Sequence, residues 1–222
     1  MQFPKWTIAL CLVPTAATAG LTSTERRSQF DKAMASIMAV ITPGASDDSR
    51  KARLKSYAAC KPNKGQAVEV SSAKYYRACA HEDAQVTGER TLEACQLWAG
   101  KPCALLAVNE EIVTEGELAP KDMPRLHYAG KFDVSQIPIL REVTRQRSDV
   151  QAYGAAAEPK AVAIHPWGRI FISVGAPSPQ EAQASALSKC NNDADRKGKD
   201  GDCFVYAVNN DVIIDERRMS SK

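Results

Sequence analysis

The sequence predicts an α+β fold in which two hairpin-helix-strand (ββαβ) repeat units follow an N-terminal helical extension. Three observations support this prediction. Two stretches, which start at Ala67 and Ala161, run through the same order of features. Cysteines occupy matching places in both stretches. Residues that signal helices precede the first stretch. Similarity at a fixed spacing is typical of a structure assembled from repeated units. The length differences between the two stretches fall in polar segments, where loops tolerate insertions.

The chain begins with the features of a secretory signal peptide. Lys5 is followed by an apolar run at 6–13, by Pro14, and by the small-residue pattern Ala17-Thr18-Ala19. The run is much shorter than the roughly 20 residues that cross a bilayer, which disfavours a membrane anchor. We therefore predict a signal peptide at 1–19, a helical region at 20–64, a first ββαβ unit at 65–114, a connecting segment at 115–159, a second ββαβ unit at 160–214 and a tail at 215–222.

Helices are expected in the N-terminal region and in the connecting segment. Thr22 and Glu25 have the spacing of a capping box, and apolar residues recur at helical spacing as far as Ile41. A second helix is predicted from near Asp48 to Cys60. The connecting segment contains several prolines, so we expect one interrupted helix in it, around 138–153.

Each unit is predicted to contain a hairpin, a helix and a final strand. In the second unit, Pro166 and Gly168 suit a type I turn between the hairpin strands, and Ser178-Pro179 marks the start of the helix. Both final strands follow a cysteine and end in Ala-Val-Asn. The predicted elements are strands at 67–70, 75–80 and 104–109 with a helix at 88–98, and strands at 161–164, 169–174 and 204–209 with a helix at 178–191.

Six cysteines remain after removal of the signal peptide, which contains Cys11. An even set without a Cys-x-x-Cys pair in an exported chain favours structural disulfides. Six cysteines allow fifteen connectivities, and the repeat argument selects one of them. Each unit has a cysteine at its helix end and another at its strand start. We therefore predict the pairs Cys95–Cys103 and Cys190–Cys203, which leaves Cys60–Cys79.

The region from Ala182 to Ala207 resembles a group of bacterial exported domains of unknown function. These domains share Ala-Leu-x-x-Cys, a glycine-containing loop, and a cysteine followed by a Tyr-Ala-Val strand, as at Cys190 and Cys203. The first unit matches more loosely, because its last strand lacks the tyrosine. The resemblance implies a periplasmic or secreted setting with disulfides, and it implies no particular chemistry.

The best candidate for a binding site is the turn of the second hairpin, with His165, Trp167 and Arg169. Tryptophan and arginine are enriched among the residues that dominate binding energy. The alternative is a plain turn with a packed tryptophan, because Pro166 and Gly168 already explain the turn.

Metal and catalytic sites have weaker support. The loop with Asp193, Asp195, Asp200 and Asp202 has the oxygen density that calcium prefers, but its spacing does not fit the twelve-residue calcium loop and its basic residues oppose a cation. The three histidines, His81, His127 and His165, do not have metal-ligand spacing. No phosphate loop, dinucleotide fingerprint or nucleophile elbow occurs, so we expect neither a cofactor nor a metal.

These patterns favour an exported, non-catalytic binding or interaction module of the inhibitor, immunity or envelope-accessory type. We expect its partner to be another envelope or secreted protein. The net charge of +3 falls by one when Lys5 is removed, which is too weak a field to favour nucleic acid. The alternatives are a small periplasmic hydrolase that uses a histidine-carboxylate site and a purely structural envelope protein without a cleft.

Overall fold

The computed structural model describes residues 22–113, 119–195 and 201–214, and shows a mixed α+β protein with two antiparallel four-stranded sheets. The predicted signal peptide and tail lie outside the described residues. The helices are α1 (Ser23–Ile41), α2 (Asp47–Ala58), α3 (Ala84–Ala99), α4 (Glu142–Arg145), α5 (Ser148–Ala152) and α6 (Pro179–Asn191). The strands are β1 (Gly65–Glu69), β2 (Lys74–Ala78), β3 (Ala104–Val108), β4 (Glu111–Ile112), β5 (Lys160–His165), β6 (Arg169–Val174), β7 (Phe204–Val208) and β8 (Asp211–Val212). None of these helices is long and apolar enough to cross a membrane.

The two sheets have the same strand order along the chain. The first is ordered β2-β1-β3-β4 and the second β6-β5-β7-β8, so the first strand of each hairpin is central and the second strand is an edge. The central pairing of each sheet contains one register shift, between Gln66 and Ala67 in the first and between Val162 and Ala163 in the second. The short strands β4 and β8 were not predicted from the sequence.

The N-terminal helices cover one face of the first sheet. The predicted capping box is present, because Glu25 N donates to Thr22 Oγ1 and Thr22 N donates to Glu25 Oε2. The buried stripe of α1 includes Phe30 and Met34, which form one apolar cluster with Val68 of β1. Burial of this stripe, rather than intrinsic helix propensity, supplies most of the helix's stability.

Three disulfides confirm the predicted pairing. Their pairs are Cys60–Cys79, Cys95–Cys103 and Cys190–Cys203. The last two each join a helix end to the start of the following strand, across 8 and 13 residues. By restricting the unfolded chain, bridges of this kind typically contribute about 2–4 kcal/mol each.

Helix α3 is buried on two sides, whereas α6 is buried along one stripe. One side of α3 packs on the first sheet so closely that a Cβ at Gly65 would lie 2.2 Å from Thr91 Oγ1. Its other side contacts the connecting segment, where Ile139 N donates to Glu93 Oε2 at 2.6 Å. In α6 the buried residues are Ala182, Ala186 and Cys190. Helix α3 is therefore in the centre of the molecule and α6 at its surface.

The connecting segment is part of the core. Leu126, Ile137 and Leu140 are fully buried, in a cluster that also contains Leu92 of α3 and Ile164 of β5. Short 3₁₀ turns at 124–127, 134–136 and 153–155 and the short helices α4 and α5 alternate with irregular backbone in the segment. It fills the space between α3 and the second sheet.

A tyrosine, a lysine and an asparagine close the base of the first unit. Tyr57 Oη donates to the carbonyl of Asn109 at 2.6 Å, and Asn109 N donates to the carbonyl of Lys64 at 2.8 Å. Asn109 has a positive φ of 54°. The ammonium group of Lys64 lies 5.0 Å from the Tyr57 ring centre and 2.9 Å from Glu110 Oε1. We call this arrangement the Tyr-Lys-Asn bracket.

A second bracket closes the base of the second unit. Tyr153 Oη donates to the carbonyl of Asn209 at 2.7 Å, and Asn209 N donates to the carbonyl of Lys160 at 2.7 Å. Asn209 also has a positive φ, of 51°. The ammonium group of Lys160 has no carboxylate partner among the described residues, and donates instead to the carbonyls of Tyr153, Gly154 and Ala156 at 2.7–3.0 Å.

Candidate functional site

The turn of the second hairpin is rigid and tightly packed. Gly168 N donates to the carbonyl of His165 at 2.9 Å, which closes the predicted turn, and Trp167 N donates to His165 Nδ1 at 3.2 Å. Gly168 has a φ of 76°, and a Cβ there would lie 3.0 Å from the carbonyl oxygen of Ile139. His165 is fully buried, whereas Trp167 is 51% exposed. Of the predicted binding residues, Trp167 can therefore touch a partner, while His165 holds the turn.

This turn docks on the edge strand of the first sheet. Tyr76 Oη donates to the carbonyl of Pro166 at 2.7 Å, across 90 residues of sequence. Between the two surfaces lies an open cleft of about 490 Å³. Strand β2, helix α3, the connecting segment at 139–144 and the turn itself all contribute to its walls. We call this cavity the inter-unit cleft.

Four arginines line the inter-unit cleft, and no carboxylate occurs among its described lining residues. Arg77 donates to the carbonyl of Ser56 at 2.6 Å, and Arg141 donates to the carbonyl of Cys79 at 3.0 Å. Arg169 forms ion pairs outside the cleft with aspartates that follow α6. The fourth, Arg90, extends from α3. A planar guanidinium has five donors and keeps its charge at all ordinary pH values, so the cleft presents a stable positive surface.

Of the four arginines, Arg90 has the weakest hydrogen bonding to the rest of the protein. Its residue is 8% exposed, and its Nη1 is 3.4 Å from Glu93 Oε2, a long contact for an ion pair. The same carboxylate accepts from Arg125 Nε at 2.5 Å and from Ile139 N at 2.6 Å. Arg90 Nε is buried without a hydrogen-bond partner among the described residues. The Glu93 carboxylate therefore serves two guanidinium groups, of which Arg125 has a second partner in Glu89.

A third guanidinium adds to this buried positive charge. Arg145 is 6% exposed and donates to the carbonyls of Val134 and Ile137. Burial, together with the positive charges of Arg90 and Arg125, lowers the pKa of Arg145 to about 10, although Glu93 and Glu142 act in the opposite direction. Three guanidinium groups are therefore close together behind the cleft wall.

His81 lies at the side of the cleft, in the loop between β2 and α3. Its backbone N donates to the carbonyl of Asn63 at 3.0 Å, while its Nδ1 is buried without a partner among the described residues. Burial lowers the pKa of His81 below 6.5, and the positive charge of Arg141 lowers it further. His81 is therefore neutral at pH 7.

The first aspartates of the loop that follows α6 form ion pairs. Arg169 pairs with Asp193 and, at 3.2 Å, with Asp195. Asp202 is exposed, and Asp200 lies outside the described residues. In the described part of the chain, no three histidine, cysteine, aspartate or glutamate side chains form a group that could hold a metal ion.

A histidine-carboxylate pair occurs elsewhere. His127 Nε2 is 2.7 Å from Asp122 Oδ1, and Gln96 donates to the same oxygen. The His127 and Asp122 side chains are 43% and 56% exposed, and neither lines the inter-unit cleft. The pair is thus a surface contact, separate from the cavity.

Sequence reasoning found the turn but missed the opposite wall. Arg77, Arg90 and Arg141 come from a strand, a helix and an irregular segment, so no spacing in the sequence links them. Tyr76 gave no signal either, because tyrosine in an edge strand is ordinary.

Comparison with known proteins gives no match: no protein-family model fits the chain, and no curated protein or solved structure is significantly similar to it. The resemblance of the second unit to exported domains stays a prediction. The function is therefore inferred from the residues and geometry of this chain.

Proposed function

We propose that this chain is an exported, non-catalytic binding module and that the inter-unit cleft is its binding site. The observation that carries the proposal is an open cleft of about 490 Å³ with a half-exposed tryptophan on a fixed turn. Cavities that bind ligands are commonly about 300–1,000 Å³ and often lie between structural units. The expected partner is another envelope or secreted protein.

Trp167 is the central contact in this proposal. Its backbone is fixed by the closed turn, by the bond from Tyr76 to Pro166 and by the close approach of Gly168 to Ile139. A large aromatic surface held in place before binding loses little conformational freedom on contact. Arg169 stands at the same end of the cleft, where its aspartate pairs orient the guanidinium.

The chemistry of the lining also favours binding over catalysis. Arginines supply charge and hydrogen bonds but do not exchange protons near neutral pH. A covalent mechanism needs a nucleophile beside a base. The lining cysteine, Cys79, is in a disulfide, and the surface pair of His127 and Asp122 lies away from the cleft. His81 and Thr144 also line the cleft, but its described lining includes no carboxylate to complete the histidine-carboxylate site of the hydrolase alternative.

The two units are, in this proposal, copies of one ancestral ββαβ unit. The shared strand order, the register shifts at matching places and the paired Tyr-Lys-Asn brackets support a duplication. Phe30 stacks beside Tyr57, and Phe132 packs beside Tyr153, so the likeness extends into the helical region and the connecting segment. The cleft then formed where one copy docks on the other.

Export is supported by two independent features. Residues 1–19 have the pattern of a signal peptide. The described chain contains three disulfides, which persist in oxidising compartments such as the periplasm and the extracellular space.

A capture experiment tests the binding proposal. The oxidised chain without residues 1–19 serves as bait for envelope and culture-supernatant proteins, beside the variants Trp167→Ala and Trp98→Ala. Trp98 is a matched control, because it is 36% exposed and does not line the cleft. We expect a partner that is captured by the unmodified bait and by Trp98→Ala but lost with Trp167→Ala. Equal capture by all three baits would refute the proposed site.

A further inference from the structure

The wall of the inter-unit cleft contains more positive charge than its protein partners neutralise. The carboxylate of Glu93 is shared by Arg90, Arg125 and the amide of Ile139. Arg125 has a second partner in Glu89 at 2.5 Å, but Arg90 has no other ion pair among the described residues. A buried charge that is incompletely paired destabilises a fold by several kcal/mol on typical estimates, so an external counter-charge at Arg90 is favourable.

Two more guanidinium groups of the cleft lack a carboxylate. No described aspartate or glutamate forms an ion pair with Arg77 or Arg141, whose hydrogen bonds go to the carbonyls of Ser56 and Cys79. Arg169, by contrast, is already balanced by aspartates. The Arg77 guanidinium bonds to α2, on the opposite face of the first sheet from α3, so Arg90 and Arg141 are the two guanidinium groups of the cleft with a single, shared carboxylate. Guanidinium groups bind carboxylates and phosphates through paired, charge-assisted hydrogen bonds.

Unpaired donors and acceptors lie where such a ligand would sit. Arg90 Nε and His81 Nδ1 are buried without partners among the described residues, and both residues line the cleft. Buried polar atoms in native proteins almost always have a partner, so such atoms mark a place where one is missing. The lowered pKa of His81 has the positive charge of Arg141 among its causes, which places the imidazole in the same electropositive field.

We propose that the inter-unit cleft binds an oxyanion ligand with at least two negative charges, and that Arg90 and Arg141 are its recognition residues. The proposal rests on the proposed binding function and names the chemical class of its ligand. Two sources supply this chemistry: paired carboxylates on an acidic segment of a partner protein, or a free small polyanion. The open cleft along edge strand β2 and the exposed Trp167 favour the acidic segment.

Calorimetric titration with defined probes tests the ligand class. The probes are an acetylated, amidated peptide Glu-Phe-Glu, the matched peptide Gln-Phe-Gln, and the free anions citrate and pyrophosphate. We expect the glutamate peptide to bind at least about tenfold more tightly than the glutamine peptide, since each good charge-assisted pair is worth about one decade in affinity. Added salt should weaken this binding.

Substitutions of single arginines test which residues recognise the ligand. Arg141→Gln should weaken the charge-dependent binding about tenfold, on the same estimate. Arg26→Gln, which removes an equal charge from the exposed face of α1, should not change it. Arg90→Gln disturbs the buried charge group, so its result is considered only where thermal unfolding shows that the variant folds. Arg141→Gln tests the proposal without it.

An NMR titration of His81 gives an independent readout. A bound anion should raise the pKa of His81, because it screens the positive charges of Arg141 and Arg90. A purely structural effect of the variants would not produce a ligand-dependent shift. Absence of this shift at saturating probe would contradict the assigned position.

The outcomes separate the two proposals. Binding by citrate or pyrophosphate without any peptide binding supports the oxyanion class and assigns the free anion as its source. Equal binding of the two peptides, with none of the free anions, overturns the oxyanion class. If a partner is captured through Trp167 but its binding ignores salt and Arg141→Gln, the binding site stands and the ligand class is wrong. If the probes bind and no partner is captured, the protein-partner part of the proposed function is wrong.

Discussion

The two hairpin turns occupy the same place in their units, yet they are held in different ways. In the first turn, the carboxylate of Glu69 accepts hydrogen bonds from Ser71 N at 2.9 Å and Ser72 N at 2.8 Å, and from both hydroxyl groups. The second turn has internal hydrogen bonds to His165, and it is also held from outside, by Tyr76 and by the backbone at Ile139. A self-contained turn needs no neighbour, whereas a docked turn creates a cavity with its neighbour. The candidate site lies at the docked turn, which is that of the second hairpin.

The two Tyr-Lys-Asn brackets differ in the partners of their lysines. Both lysines are buried, at 5% and 1% exposed, but Lys64 pairs with the 45% exposed carboxylate of Glu110, whereas Lys160 is surrounded by backbone carbonyls. An ion pair close to solvent is partly screened by water, while a buried ammonium on three carbonyls is not. The second unit therefore depends more strongly on its lysine than the first.

Replacement of the two lysines should show this difference most clearly. Lys160→Met keeps the apolar stem but leaves three carbonyls without their donor, and should lower the free energy of unfolding by about 3–4 kcal/mol. Lys64→Met should lower it by about 1 kcal/mol, the value of a half-exposed pair. Urea unfolding of both variants measures the two values. Equal losses would contradict the comparison of the brackets.

Acidification should weaken the first turn through the carboxyl group of Glu69. Although burial alone would raise it, the hydrogen bonds from Ser71 and Ser72 lower the pKa of Glu69 to about 2. A lowered pKa stabilises the fold above the carboxyl's ordinary value of 4.5, and this contribution disappears as the pH falls towards 2.

After allowance for solvent screening at this surface turn, the lowered pKa corresponds to about 1–2 kcal/mol. Unfolding measured between pH 6 and pH 2 should therefore show less pH dependence in Glu69→Gln than in the unmodified chain. A pH dependence of the same size in both proteins would refute the assigned role of Glu69.

Substitution of the last residue of each turn tests the effect of its positive φ on stability. Gly168 has a φ of 76° next to the Ile139 carbonyl, so Gly168→Ala should lower the free energy of unfolding by about 1–2 kcal/mol. Ala73 holds the corresponding place with a φ of 54°, and Ala73→Gly should raise stability by about 0.5–1 kcal/mol. Thermal unfolding of both variants checks the opposite signs. A stabilised Gly168→Ala would show that the turn is not docked as described.

Removal of one hydroxyl group should loosen the second turn alone. Tyr76→Phe removes the bond to the Pro166 carbonyl and should lower stability by about 1 kcal/mol. Amide hydrogen exchange at Gly168 should become faster, because the docked turn opens more often. Tyr75→Phe is the matched control, since Tyr75 Oη lies 3.1 Å from Thr42 Oγ1 at the far side of the sheet. Faster exchange in the control alone would contradict this assignment.

The sequence predicted the elements that have strong local signals. The similarity of the two units located both hairpins to within two residues, and Ser178-Pro179 marked the start of α6. The disulfide pairing followed from the similarity of the two units, because a helix-end cysteine and a strand-start cysteine recur in each. These features depend on residues near one another in the chain.

The remaining features depend on contacts between distant residues. The connecting segment has no long apolar period, since its short turns bury single residues such as Leu126 and Ile137. The arginines of the cleft come from separate elements, so their proximity is a property of the packed units. The brackets left a signal that becomes readable with the structure: Tyr57 and Tyr153 each precede a lysine by seven residues.

The double burial of α3 also affects how the molecule folds. Val162, Ile164 and Tyr206 of the second sheet share one apolar cluster with α3 and the connecting segment. Expressed alone, residues 160–214 would expose this sheet face to water and lose the apolar contacts that stabilise it. Although its architecture suggests two halves, the protein should unfold in one cooperative transition, and cutting the gene between the halves should yield no independently folding piece.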